Sequence, residues 1–154
     1  MTELTQTERR ILSILQKEGD ISNVELAERV GMSPSPCLRK TNSLKAAGYV
    51  RETVSILDRR KLGFHIVAYV EVKVPQSGDP TVTERFVNGV LNEPAIVACF
   101  ITTGPFDYLL KVVVTGIEDY AEFLTKTLLK LPGLQDSRST FVLEVIKDST
   151  ALPL

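Results

Sequence analysis

The chain has 154 residues, 44% hydrophobic and 24% charged, which is the balance of a folded chain with room for one ordinary domain or two small ones and excludes a disordered one. No apolar run reaches the ~20 residues of a membrane-spanning helix, and the amino terminus lacks the basic-then-apolar pattern of a secretory leader, so the expected location is the cytoplasm, with no membrane partner. Net charge is −1, but 11 Lys and Arg face 8 Asp and Glu up to Leu62, whereas 7 face 11 beyond it. A positive first portion and a negative second one suit a protein in which only the first meets a polyanion.

Thr5 and Glu8 have capping-box spacing, and Ile11, Leu12, Ile14 and Leu15 give an apolar face to a first helix closing near Gly19. Ser22 and Glu25 repeat the box and open a short helix to Val30, which Gly31 breaks. Met32 and Ser33 complete a turn. Ser33 as N-cap with Pro34 in the first turn starts a third helix that runs to about Ala47, before Gly48. Within it Cys37, Thr41 and Leu44 share one face, suited to packing on Leu26, Ala27 and Val30. Ser33, Ser35, Pro36, Leu38, Arg39, Lys40, Asn42 and Ser43 remain near the helix N-terminus and on the free face, where cations, hydroxyls and backbone N–H groups suit phosphates and base edges. Two helices joined by such a turn make a helix-turn-helix. The plain alternative is a helical hairpin with a solvated basic face.

Tyr49–Leu57 has strand character, and Asp58-Arg59-Arg60-Lys61 reads as a polar linker whose cations either touch flanking DNA backbone or are simply solvated. A strand at Ile66–Val74 follows, with Ile66, Ala68, Val70, Val72 and Val74 inward and Tyr69, Glu71 and Lys73 on the wet face. Pro75–Asp79 is a turn, and Asp79-Pro80 starts a helix with the stripe Phe86, Val87, Val90 and Leu91, stopped at Asn92-Glu93-Pro94. Ile96–Thr103, which contains Cys99 as a buried residue, and Asp107–Thr115 form a hairpin across Gly104-Pro105-Phe106. Ile117–Leu131 is helical, with Tyr120, Phe123, Leu124, Thr127, Leu128 and Leu131 on one side, and Pro132-Gly133 ends it; Phe141–Ile146 is the fourth strand.

The order βαββαβ predicts a ferredoxin-like α+β domain, an antiparallel sheet with both helices on one face. The other face, through Val67, Tyr69, Val97 and Ile101 or their alternates, is expected to pack on a second subunit. Residues 1–50 are thus read as a helix-turn-helix domain, 51–63 as strand and linker, and 64–154 as the ferredoxin-like domain. Two cysteines without C-x-x-C spacing and the single His65 leave no disulfide framework, metal site or cofactor to expect.

The ordered set LTQTERRIL (4–12), SNVELAERV (22–30), GMSPSPCLRKTNSL (31–44), AGYV (47–50), Leu62-Gly63, TGPFDYLL (103–110) and Leu131-Pro132-Gly133 resembles the Lrp/AsnC, or feast/famine, transcription regulators over nearly the whole chain. The resemblance implies a winged-helix-like DNA-binding domain and a RAM-type ligand-binding and oligomerisation domain. It also implies dimers assembling into octamers on near-palindromic double-stranded operators, and an effector, an amino acid or related metabolite, held between subunits. Matching loops place that effector near Thr103, Gly104, Phe106 and Asp107, with Ser137, Ser139 and Thr140 nearby. Amides around a glycine turn and hydroxyls suit a carboxylate, and Asp107 suits an ammonium; the plainer reading makes Gly104 and Asp107 turn residues and Ser139 and Thr140 strand surface. The chain departs from the family at Pro105, often acidic, at Phe106, often Tyr, at Thr41, usually apolar, and at Ser43, often Arg.

Two other functions fit parts of the pattern. A nucleoid-architectural protein would wrap DNA with little sequence preference. An enzyme related to siroheme decarboxylases would share the sheet domain, but one His65 with Arg85 and Arg138 supplies no catalytic set, so no enzyme is expected.

Overall fold

The computed structural model describes residues 3–74 and 80–154, and these divide into two compact units. One comprises the described residues up to Ile56 together with Lys147–Leu154; the other is Leu57–Ile146. No described helix is long and apolar enough to cross a membrane.

The first unit is built from α1 (Gln6–Leu15), α2 (Asn23–Val30) and α3 (Pro34–Ala46). Thr5 and Glu8 close a full capping box on α1: the Glu8 N–H donates to Thr5 Oγ1 at 3.3 Å and the Thr5 N–H donates to Glu8 Oε2 at 2.9 Å. At α2 only half of the expected box forms. Ser22 Oγ accepts from the Glu25 N–H, but the Glu25 carboxylate lies 3.9 Å from Arg29 Nη1 one turn on, where a cation competes for it. Gly31 (φ 79°) ends α2 in a left-handed turn, with Met32 N–H donating to Ala27 O and Gly31 N–H to Glu28 O. Ser33 holds the N-cap position of α3 with no side-chain cap bond, so the first-turn proline alone marks that start. Ile11, Leu12, Leu26, Ala27, Val30, Cys37 and Leu44 form the core. Arg29 grips Glu18 through both guanidinium nitrogens at 2.6 and 2.9 Å, and Gln16 exchanges two hydrogen bonds with the backbone of Leu152.

The second unit opens with a turn at Asp58–Phe64. Asp58 Oδ1 accepts from the Arg60 and Lys61 amides, and Arg59 Nη1 donates to Phe64 O at 2.7 Å. The elements that follow are β1 (Ile66–Lys73), α4 (Pro80–Leu91), β2 (Ile96–Ile101), β3 (Tyr108–Val114), α5 (Ile117–Lys126), a 3₁₀ turn at Leu128–Lys130, and β4 (Asp136–Phe141). The sheet order is β2-β3-β1-β4 with every pairing antiparallel, the expected ferredoxin-like topology. Ala68, Val70, Val72, Leu110 and Val112 face Phe86, Val90, Tyr120, Phe123 and Leu128, so both helices cover one face.

Several expectations are corrected. Tyr49–Leu57 forms no strand and pairs with none of the described strands of its own chain, and Val54, Ile56 and Leu57 are exposed. The fourth strand is the polar Asp136–Phe141, and the apolar Leu143 and Ile146 that suggested a later one stand in solvent. β4 runs back along β1 from Asp136↔Lys73 to Phe141↔Ala68, Val142 N–H still donates to Val67 O, and β1 begins at Ile66, so the residues that follow run past its start. On α4 only Phe86 and Val90 are buried, while Val87 and Leu91 are exposed. Cys99 is exposed because β2 is an edge strand. The long last helix stops at Lys126, since Thr127 leaves helical geometry before the 3₁₀ turn. The turn expected at Pro75–Asp79, and Asp79 as a helix start, lie outside the described residues.

Gly133 (φ 79°) sits where an added Cβ would lie 2.5 Å from Val82 Cγ1 and 3.2 Å from Val74 Cγ1. Gly133→Ala combines backbone strain with overpacking and is expected to cost about 1–3 kcal/mol, read as a lower denaturation midpoint; an unchanged midpoint contradicts this packing. Hydrogen bonds from Thr5, with Lys40 adding attraction, hold the Glu8 carboxyl below the ordinary range, and Arg29 does the same for Glu18. A depressed folded-state pKa contributes stability that is complete above the unfolded-state value and is lost as pH falls through the folded-state value. The thermal midpoint should therefore fall on acidification below about pH 4, and less steeply in an E8Q/E18Q double variant; parallel profiles contradict the assignment.

Candidate nucleic-acid interface and effector site

Three anchors fix the roll of α3. Cys37, Thr41 and Leu44 are buried in the helical core, and the Asn23 side-chain amide donates to Pro34 O at 2.9 Å, pinning the start of α3 to the start of α2. With that side buried, Ser33, Ser35, Leu38, Arg39, Asn42 and Ser43 are exposed, and Pro36 and Lys40 are half-buried. Of the first three helical residues two are proline, so the Ser35 amide is the one N–H they offer. Of the cations, hydroxyls and backbone N–H groups expected here, the first turn therefore supplies few N–H groups and the side chains supply most of the polar groups.

The two cations differ. Lys40 Nζ sits 3.5 Å from Glu8 Oε1, tying α3 to the capping box of α1, whereas Arg39 is exposed with no ion partner among the described residues. A free guanidinium beside an amide and two hydroxyls, all on one helix face, can grip phosphate or read a guanine edge. The basic linker is more structural than its composition suggested, because Arg59 closes its own turn. Arg60 and Lys61 donate backbone amides to Asp58.

In the sheet unit the residues matched to an effector loop surround the β2–β3 hairpin. Thr102 N–H donates to Asp107 O, Thr102 Oγ1 to Phe106 O, and Asp107 N–H to Val72 O. Thr103 and Gly104 (φ 127°) are exposed at its tip, and Phe106 and Asp107 are half-buried at its base. Asp107 Oδ2 accepts from the Val74 N–H at 2.9 Å, so this carboxylate has a turn-fixing role.

The β4 residues do not form one group. Register places Ser137 and Ser139 opposite Val72 and Val70 on the helix-covered face, with Tyr120 Oη donating to Ser139 Oγ at 2.5 Å. Burial pushes the Tyr120 phenol up, and that hydrogen bond opposes the shift. Thr140 lies opposite Tyr69 on the other, uncovered face. Strand alternation already separates these neighbours, a signal in the sequence that the grouping by resemblance passed over. Sequence reasoning also missed Arg138 and Glu71. Directly opposite on the uncovered face, they form an ion pair, and the Arg138 guanidinium lies 5.3 Å from the centroid of the Phe106 ring. Period-2 spacing from Thr140 would have found Arg138.

Residues 4–51 match the family model described as winged helix-turn-helix DNA-binding, and residues 67–152 match that of the Lrp/AsnC ligand binding domain. The leucine-responsive regulatory protein of Escherichia coli (strain K12) is 39% identical over 150 residues, which cover 97% of this chain and 91% of that protein. A transcriptional regulator of Neisseria meningitidis, crystallised as a complex with L-Met, superposes with a TM-score of 0.94 at 38% identity, covering 98% of this chain and 97% of that one. An AsnC family transcriptional regulator from Agrobacterium tumefaciens gives 0.91 at 31% identity, with 97% of each chain covered. The chain belongs to the Lrp/AsnC family of DNA-binding transcriptional regulators, with an N-terminal winged helix-turn-helix and a C-terminal ligand-binding domain.

Proposed function

We propose that this regulator acts in the cytoplasm as a homo-oligomer, dimers assembling into octamers, that reads near-palindromic operators through α3 and answers to an amino acid bound between subunits. The observation that carries the DNA half is the presentation of Ser35, Arg39 and Asn42 outward by the buried Cys37, Thr41 and Leu44. Arg39 is the principal contact. Ser33, Ser35, Asn42 and Ser43 add polar contacts, Pro36 and Leu38 give the helix an apolar surface against base methyls, and Lys40 mainly holds α3 to α1. Support for an amino acid comes from the L-Met bound to the Neisseria regulator and from the leucine response in the name of the Escherichia coli relative. For oligomers, the support is the uncovered sheet face, where the exposed Phe100 joins half-buried Tyr69 and Leu109. Thr103, Gly104, Phe106 and Asp107 are the proposed effector loop, with Thr140 on the same sheet face as Arg138 and with Ser137 and Ser139 shaping the strand from behind. Family membership sets aside the decarboxylase alternative.

Gel-shift titration across a salt series separates the two cations. For a phosphate contact, Arg39→Ala should lower the salt slope by roughly one; for guanine readout it should cost about 1–3 kcal/mol at one base position. Lys40→Ala should have the smaller effect, and an Arg39→Ala variant that binds like the parent overturns the assignment. Equal affinity for random and selected duplexes at fixed salt would favour the architectural role instead.

L-methionine or L-leucine at about one hundred times its dissociation constant should stabilise the folded protein by about 2.7 kcal/mol, raising the thermal midpoint. A panel of amino acids that leaves the midpoint unmoved contradicts the effector reading.

A further inference from the structure

We propose that Arg138 is the carboxylate anchor of the effector site and that Glu71 is a built-in competitor occupying it while no effector is bound. This inference rests on the effector reading above and adds the group that recognises the ligand. Arg138 stands opposite Glu71 in the β1–β4 register, on the sheet face that the helices leave uncovered. Its Nε donates to Glu71 Oε2 at 2.7 Å, and its Nη2 converges on that same oxygen. A guanidinium fork is built to meet two carboxylate oxygens side by side, so two nitrogens on one oxygen leave its geometric capacity underused. Within one subunit the arginine side chain is 64% exposed and that of Glu71 31%, so nothing in the subunit itself shields the pair from exchange with an incoming carboxylate.

Two further contacts join this pair to the effector loop. The Arg138 guanidinium lies over the ring of Phe106, which holds it at the base of the β2–β3 hairpin. The next residue, Asp107, bonds β1 at Val72 O and at the Val74 N–H. Arg138 at Phe106 and Asp107 next to it in the chain thus bring one cation and one anion to the base of the hairpin, the two charges that the poles of a zwitterion require. The substrate class is a free α-amino acid, carboxylate toward Arg138 and ammonium toward Asp107.

A purely structural cross-strand ion pair predicts that losing either partner has the same effect. Competition predicts opposite effects. Calorimetric titration of the full chain with L-methionine and L-leucine, and with their amides, is the test. Arg138→Gln should weaken binding of the acids by about tenfold or more and bring acid and amide to similar affinity. Glu71→Gln should tighten binding of the acids and keep the preference for acid over amide. If Arg138→Gln fails to fold, the Glu71→Gln result decides alone, because a structural pair gives no reason for tighter binding. Parent protein that binds the acids and the amides equally, or a Glu71→Gln variant that binds the acids no better than the parent, overturns this inference and leaves the effector reading standing. Parent protein that binds no amino acid overturns both.

Discussion

The side chains that α3 buries decide what it can offer. Cys37, Thr41 and Leu44 recur at helical spacing and enter a core made by Ile11, Leu12, Leu26, Ala27 and Val30, so the helix has one stable roll about its axis. Turning it to expose any of them would open a cavity and lose apolar burial, each at a cost of kcal/mol scale. Given that roll, Arg39 and Asn42 must face outward, and Lys40 falls on the flank within reach of Glu8. The Thr41 hydroxyl finds no hydrogen-bond partner among the described residues, and its side chain is packed in the helical core. Recognition chemistry here is what remains once packing has been satisfied.

The same logic orders the sheet unit through a period of two. Val70 and Val72 commit one face of β1 to the helices, which commits Ser137 and Ser139 of β4 with them and turns Arg138 and Thr140 to the other side. Side chains one residue apart therefore have different work: Ser139 takes a hydrogen bond from Tyr120 within the core layer, and Arg138 meets Glu71 and Phe106 on the uncovered face. The hairpin loop owes its shape to backbone bonds and to Asp107, whose carboxylate holds the end of β1. One acid thus combines turn closure with the negative pole proposed for the effector.

Much of this was legible from the residues. Capping spacing at Thr5 and Ser22, the break at Gly31 and the Ser33-Pro34 start located three helices, because end signals are local chemistry. Alternation in Ile66–Val74 located β1 and its buried face for the same reason. What failed depended on distant partners. Phe141–Ile146 and Tyr49–Leu57 have strand composition, yet pairing requires an available edge, and composition does not report where edges lie. The Lys40–Glu8 pair and the return of Leu152 to Gln16 join residues far apart in sequence and leave no periodic trace. At the candidate effector site, the resemblance grouped Ser139 with Thr140, which alternation alone would have divided.

The central claim, that the outward face of α3 lies against the bases of a duplex, is most directly tested by photocrosslinking from single cysteines. In a Cys99→Ser background, which removes the exposed native thiol while Cys37 stays buried, a photoreactive probe is attached to Asn42→Cys on α3 or to Val87→Cys on α4. The account predicts adducts with operator bases from position 42 and none from position 87. Adducts from position 87 with none from position 42 would contradict it.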